Sequence, residues 1–128
     1  MAAVTITNSG LNLMRDSLSG ANNALIRYVG LGTSNTAPAA TDTKLGAENM
    51  RKAVTSYANG LTGEIVVTMY LTASEAIGLA IAEVGFFGGS AATSAINTGI
   101  LIARGLYSHT KASGEALEFR FDLTAIQG

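Results

Sequence analysis

The chain has 128 residues, 48% apolar and only 13% charged, with eight basic and nine acidic side chains and a net charge of −1. That length is one domain with room for a full core, and the absence of cysteine rules out both a disulfide framework and a thiolate metal site. The thin, balanced charge leaves no electrostatic footprint for nucleic acid, and no apolar run reaches the length of a bilayer span.

The opening Met1-Ala2-Ala3-Val4-Thr5 lacks the charged start and apolar stretch of a signal peptide, which predicts a soluble protein made in the cytoplasm. Thr7-Asn8-Ser9 supplies N-cap side chains ahead of Leu11, Met14 and Leu18, which share a face at i, i+3 and i+7. This predicts a helix over about residues 8–19, ended by Gly20. Ala24–Thr33 is a strand with apolar groups on both faces: Ile26, Tyr28 and Gly30 on one, Leu25, Val29 and Leu31 on the other. Residues Ser34–Asn49 form a loop by composition and contain the only proline, Pro38; Thr41 or Asp42 is placed to cap a single helical turn there.

Met50–Ala58 and Glu64–Thr72 read as strands around Asn59-Gly60, a hairpin signal because both residues tolerate positive φ. Ser74–Ile77 is a bend, and Leu79–Phe87 the next strand. Small polar residues from Ser90 to Thr98 predict a mobile connection. Ile100–His109 and Ala116–Ile126 complete the set, and in the last one Leu117 to Thr124 alternates apolar and polar without a slip. The predicted fold is mainly β: an antiparallel β-sandwich of about six strands with one N-terminal α-helix, forming a single domain over residues 1–128. Its predicted core holds Leu11, Met14, Leu18, Val29, Val67, Val84, Leu101, Leu117, Phe119, Phe121 and Leu123.

No catalytic cluster emerges from these elements. Gly30-Leu31-Gly32 resembles the start of a dinucleotide loop, but Asn35 stands at the third glycine position and Pro38 where a helix should open. The single histidine, His109, follows Ser108 directly, so the two point to opposite faces of a strand and cannot serve as nucleophile and base to each other. Glu118, Arg120 and Asp122 share a wet face as a modest ion-pair row. Glu83, within an apolar strand, needs a partner such as Arg104 or Arg27 if buried. Phe86-Phe87 sends one ring into the core and the other toward a loop, the helix or another subunit. Tyr28, Tyr57, Tyr70 and Tyr107 would be the stacking residues of a carbohydrate-binding module, the alternative reading, but tryptophan is absent and aromatics are only 6%. No enzyme activity, catalytic residue, cofactor or metal is expected.

The segments TITNSGLNLMRDSL, IRYVGLGTSNTAPAATDTKLGAE with RKAV after it, IAEVGFFGG and LIARGLYSHTK resemble tailed-bacteriophage virion proteins of the tail-collar or tail-fibre type. The resemblance runs in one order along nearly the whole chain. It implies a structural subunit of a virion, assembling with itself as a trimer or ring and with other virion proteins; the charge and the apolar runs lead to the expectation of no nucleic-acid or membrane partner. Fibre proteins of this kind carry a long C-terminal shaft or receptor-binding region; with Gly128 as its last residue, the chain matches an adaptor, collar or decoration subunit instead. Low charge and many small residues suit such packing. The loops Thr33–Glu48 and Ser90–Thr98 are the expected interface, with Thr33, Asn35, Pro38, Asp42, Phe87, Ser90, Thr93 and Asn97 as its candidate residues.

Overall fold

A computed structural model describes residues 4–126. One helix and eight strands run in the order β1 (Val4–Ile6), α1 (Asn8–Leu18), β2 (Ile26–Gly32), β3 (Glu48–Ala53), β4 (Ser56–Asn59), β5 (Glu64–Leu71), β6 (Ala80–Gly88), β7 (Ile100–Thr110) and β8 (Leu117–Thr124). All pairings are antiparallel. They build a five-stranded sheet in the order β1-β7-β6-β2-β3 and a three-stranded sheet in the order β4-β5-β8. The expected antiparallel sandwich with one N-terminal helix is present.

The strand count exceeds the expected six for two reasons. Val4–Ile6 is too short to show periodicity and is ordered by pairing with β7 at Ala103–Gly105. The Met50–Ala58 run is cut at Val54-Thr55: Val54 N–H donates to Arg27 O in the large sheet, while Thr55 N–H donates to Thr68 O in the small one. One continuous stretch of strand formers therefore passes from one sheet to the other. The Asn59-Gly60 hairpin forms, although its positive φ falls on Gly63 (77°).

Between the sheets, Val29 and Leu31 of β2, Val84 and Phe86 of β6 and Ala103 of β7 meet Val67, Met69 and Leu71 of β5 and Phe119 and Phe121 of β8, all buried. Phe86 stacks on Phe121 at 4.6 Å between ring centroids, and Tyr107 meets Phe119 edge-on at 5.6 Å. Each such ring contributes roughly 1.5–3 kcal/mol by leaving water. The alternation of β8 is realised as read: Phe119 and Phe121 buried, Leu117 and Leu123 half-buried, Glu118, Arg120 and Asp122 exposed. In β2 a bulge between Ile26 and Tyr28 turns Ile26 to the side of Val29, against the expected split, because the extra residue reverses the alternation.

The helix is capped from the expected Thr7–Ser9 stretch, Thr7 Oγ1 accepting from Gly10 N–H at 2.9 Å. Its buried face is not the expected one. Leu11 is 55% and Leu18 92% exposed, whereas Gly10 and Leu13 are buried and Met14 half-buried. A Cβ on Gly10 would lie 2.5 Å from the carbonyl oxygen of Ile102 and 2.8 Å from its Cα. The helix therefore rests with its backbone directly on β7, and Leu13, one turn on, takes the next contact. Counting apolar side chains cannot find a face whose central residue is glycine.

Candidate functional site

The outer face of the large sheet, away from the small one, is where the two loops singled out in the sequence come together. Alternation along the strands sends Tyr28, Gly30 and Gly32 of β2 and Glu83, Gly85 and Phe87 of β6 to this side, and Leu101 and Arg104 of β7 share it because the β6–β7 pairing slips between Phe86 and Phe87. The three glycines leave a trough. A Cβ on Gly30 would come within 2.8 Å of Glu48 Oε2 and 2.9 Å of the Phe87 ring, one on Gly85 within 2.7 Å of Leu45 Cδ2, and one on Gly32 would collide with Glu83 Oε1. In this chain the glycine spacing is thus a packing device that admits two ion pairs and two apolar plugs.

Glu83 is fully buried and its carboxylate takes four donors: Gly46 N–H at 2.9 Å, Ala47 N–H at 2.7 Å, Ser34 N–H at 3.4 Å and Arg104 Nε at 2.8 Å. Of the two arginines expected as partners, Arg104 is the one that pairs with Glu83, Arg27 being exposed, and the loop backbone shares the carboxylate. Arg104 Nη1 reaches Asp42 Oδ2 at 3.4 Å, and the same oxygen accepts from Ala39 N–H at 2.9 Å. Asp42 thus ties the middle of the loop to the sheet and begins no helical turn, contrary to the expectation; the segment runs without helix from Thr33 to Ala47. Arg104 Nη2 is buried without a partner among the described residues.

The second pair, Glu48 and Arg51 of β3, has both side chains at 0% exposure and bonds in bidentate fashion, Nε to Oε2 at 2.7 Å and Nη2 to Oε1 at 2.9 Å. The Arg51 guanidinium lies 4.2 Å over the Phe87 ring. Its Nη1 donates to the carbonyls of Thr93 at 3.1 Å and Thr98 at 3.0 Å, and Asn97 N–H donates to Glu48 Oε1 at 3.0 Å. The Ser90–Thr98 segment is accordingly anchored to the sheet, where its composition predicted a mobile connection. Leu45 drops between Phe87 and Leu101 to form a small apolar cluster under the first loop.

Of the candidate residues, Thr33, Asn35, Ser90, Thr93 and Asn97 are exposed, and Pro38 and Asp42 are half-buried. Phe87 is 1% exposed and offers nothing to another subunit. Its ring has met a loop, the first of the fates open to it, because Leu45 and Arg51 cover it. The residues that build this face but escaped the sequence reading are Leu45, Glu48 and Arg51. In a regular strand residues 48 and 51 point to opposite faces; here the pairing slips between Leu31 and Gly32, so that Gly32 faces Glu48 while Leu31 faces Met50, and both side chains reach the outer face.

Chemically the arrangement is a clamp. Both buried carboxylates are saturated by donors, which favours a structural role over proton transfer, and removing either partner of such a pair costs about 3–5 kcal/mol. Elsewhere, His109 Nε2 lies 2.7 Å from Glu115 Oε1, with both half-exposed and Ser108 on the other face of β7. The carboxyl of Glu115 sits below its ordinary range because Ala112 N–H and then His109 bond to it. The four tyrosines are dispersed: Tyr28 beside Arg51, Tyr57 bonded to Ile26 O, Tyr70 exposed on β5 and Tyr107 against Phe119. An apolar groove of about 240 Å³ opens between Met14 of the helix, Leu25 and Ile26, and Tyr57, Ile65 and Leu123 of the small sheet. Among the described residues no group of three or more His, Asp or Glu gathers as a metal site, and no helix is long and apolar enough to cross a membrane.

Comparisons with protein-family models, with curated proteins and with solved structures matched nothing to this chain.

Proposed function

We propose that the protein is a non-enzymatic structural subunit of a bacteriophage virion, a tail, collar or fibre adaptor or decoration protein, that works through contacts with copies of itself and with other virion proteins. The resemblance of its segments to tail-collar and tail-fibre proteins supplies the virion context. The observation that carries the mechanism is the clamp on the outer face of the large sheet. Two loops of small, mostly uncharged residues are held in one conformation by Glu83–Arg104 and Glu48–Arg51. A surface fixed before contact loses little conformational entropy on docking, so a modest area suffices to hold a partner. A standard contact buries roughly 1,200–2,000 Å² in total, and loops of this extent are the natural place for it.

Mass spectrometry of particles purified from the source, scored for copies per particle, tests the assignment. The expected result is a fixed stoichiometry, small for an adaptor or fibre and larger for a ring or decorated lattice. Absence from intact particles overturns it. The face itself is tested with Asn35→Glu and Ser90→Arg, both at exposed positions: incorporation should fall several-fold while Tm stays within about 2 °C of the parent, since such surface changes cost little stability.

A further inference from the structure

The small sheet ends on β8, an eight-residue strand paired only with β5. Among the described residues no other backbone group bonds to its open side. Natural sheets blunt such an edge with proline, a bulge, lysines, inward charges or a covering segment. Residues 117–124 contain neither proline nor lysine, their pairing with β5 has no register shift, and the charges point outward.

The direction of the free groups follows from the register. Ala125 N–H donates to Gly63 O at 3.0 Å, in the same register that sets Glu64 opposite Thr124. Along an antiparallel strand successive residues address opposite neighbours. The odd-numbered residues of β8 therefore bond to β5. Glu118, Arg120, Asp122 and Thr124 present their N–H and C=O groups to the open side, with their side chains exposed on the outer face.

We propose that β8 is a self-association edge, pairing antiparallel with β8 of a second copy across a two-fold axis at Phe121, with Arg120 of each copy opposite Asp122 of the other. Charge selects this register. Two registers place free groups opposite free groups over nearly the whole strand. The one centred on Arg120, overlapping residues 117–123, sets arginine against arginine and Glu118 against Asp122, and like charges directly opposite destabilise a pair. The one centred on Phe121, overlapping residues 118–124, gives two reciprocal Arg–Asp pairs. Arg120 already lies along the strand toward Asp122, Nε to Oδ1 at 3.0 Å, so its guanidinium is held in the row where the second copy's aspartate would arrive. The contact joins two three-stranded sheets into one of six strands and covers the half-buried Leu123 at the edge. Being isologous, it closes as a dimer; a trimer or ring would need a further, head-to-tail contact. The inference supplies a self-contact for the assembly proposed above but rests on the strand edge alone. A monomer would remove it and leave the virion assignment to particle composition.

Sedimentation velocity of the purified full chain over a range of concentrations tests the pairing, with the parent, Arg120→Asp, Asp122→Arg and the double exchange compared. Expected are reversible dimers of the parent, dissociation about tenfold or more easier in each single variant, and recovery in the double variant, which restores opposite charges across the axis. Hydrogen exchange on the same samples should show concentration-dependent protection at the amides of Glu118, Arg120, Asp122 and Thr124, with those of Phe119 and Phe121 slow at every concentration. A parent that stays monomeric to about 1 mM, a dimer indifferent to all three variants, or protection arising elsewhere overturns the proposal. The exchanged positions are exposed, and unchanged melting of the variants separates lost pairing from lost folding.

Discussion

At the scale of single residues, the side chains that matter most are the buried charges of the outer face. Glu83 illustrates how a carboxylate can sit in a protein interior at acceptable cost: four donors surround it, three of them amides of the chain that it holds in place. Glu83→Ala leaves Arg104 buried with only the longer contact to Asp42. A loss of about 3–5 kcal/mol is expected in urea denaturation, together with faster amide exchange at Gly46 and Ala47. A half-exposed pair behaves differently. The Lys52 ammonium and then Thr72 N–H hold the carboxyl of Glu75 down at about 2. A folded-state value below the ordinary one means that the stabilisation is present above about pH 4.5 and is lost as pH falls toward 2. The Tm difference between the parent and Glu75→Gln should therefore be open at pH 6 and close across that interval. A difference independent of pH from 6 to 2 would contradict the assignment of the effect to this ionisation.

At the scale of elements, the helix shows two preferences in conflict. Alanine is favoured over glycine inside a helix by about 1 kcal/mol. At Gly10, however, the added Cβ meets the backbone of Ile102, which cannot swing aside as a side chain would, and overpacking of this kind costs about 1–3 kcal/mol. The contact outweighs the propensity. Gly10→Ala is expected to lower Tm by several degrees, while Asn12→Ala on the exposed side of the same helix raises it slightly or leaves it unchanged. A stabilised Gly10→Ala protein would mean that the helix does not rest on β7 as described. The loops show a related balance. Their composition is that of unconstrained chain, yet both are ordered by charges located in neighbouring strands.

At the scale of the molecule, the two sheets are joined chiefly by the rings and aliphatic groups between them, and Phe119 and Phe121 are the contribution of β8 to that layer. Phe119→Asp places an unpaired carboxylate where the ring now meets Tyr107. The expected outcome is loss of cooperative melting; a soluble variant with a sharp transition would show that β8 is not part of the folding unit. This is also the strand whose open edge is proposed to pair with a second copy. Its inner face serves stability, and under that proposal its outer row serves association, a division that the strict alternation of residues 117–124 makes possible.

The sequence by itself determined the fold class, the helix with a cap within Thr7–Ser9, the faces of β8, the Asn59-Gly60 hairpin and the need of a buried Glu83 for an arginine, while the structure chose Thr7 as the cap and Arg104 over Arg27. Each depends on spacing along one short segment or on the cost of burying a charge alone. What only the tertiary structure decided was which helical face is buried, that Met50–Ala58 crosses from one sheet to the other, that Phe87 lies under Leu45 and Arg51, and that Glu48 and Arg51 share a face. Those features come from a glycine that marks a backbone contact, from a slipped register that reverses alternation, and from loops ordered by distant charges. Periodicity carries no record of any of them, because it measures the chain against an ideal strand or helix, and these are the places where packing departs from the ideal.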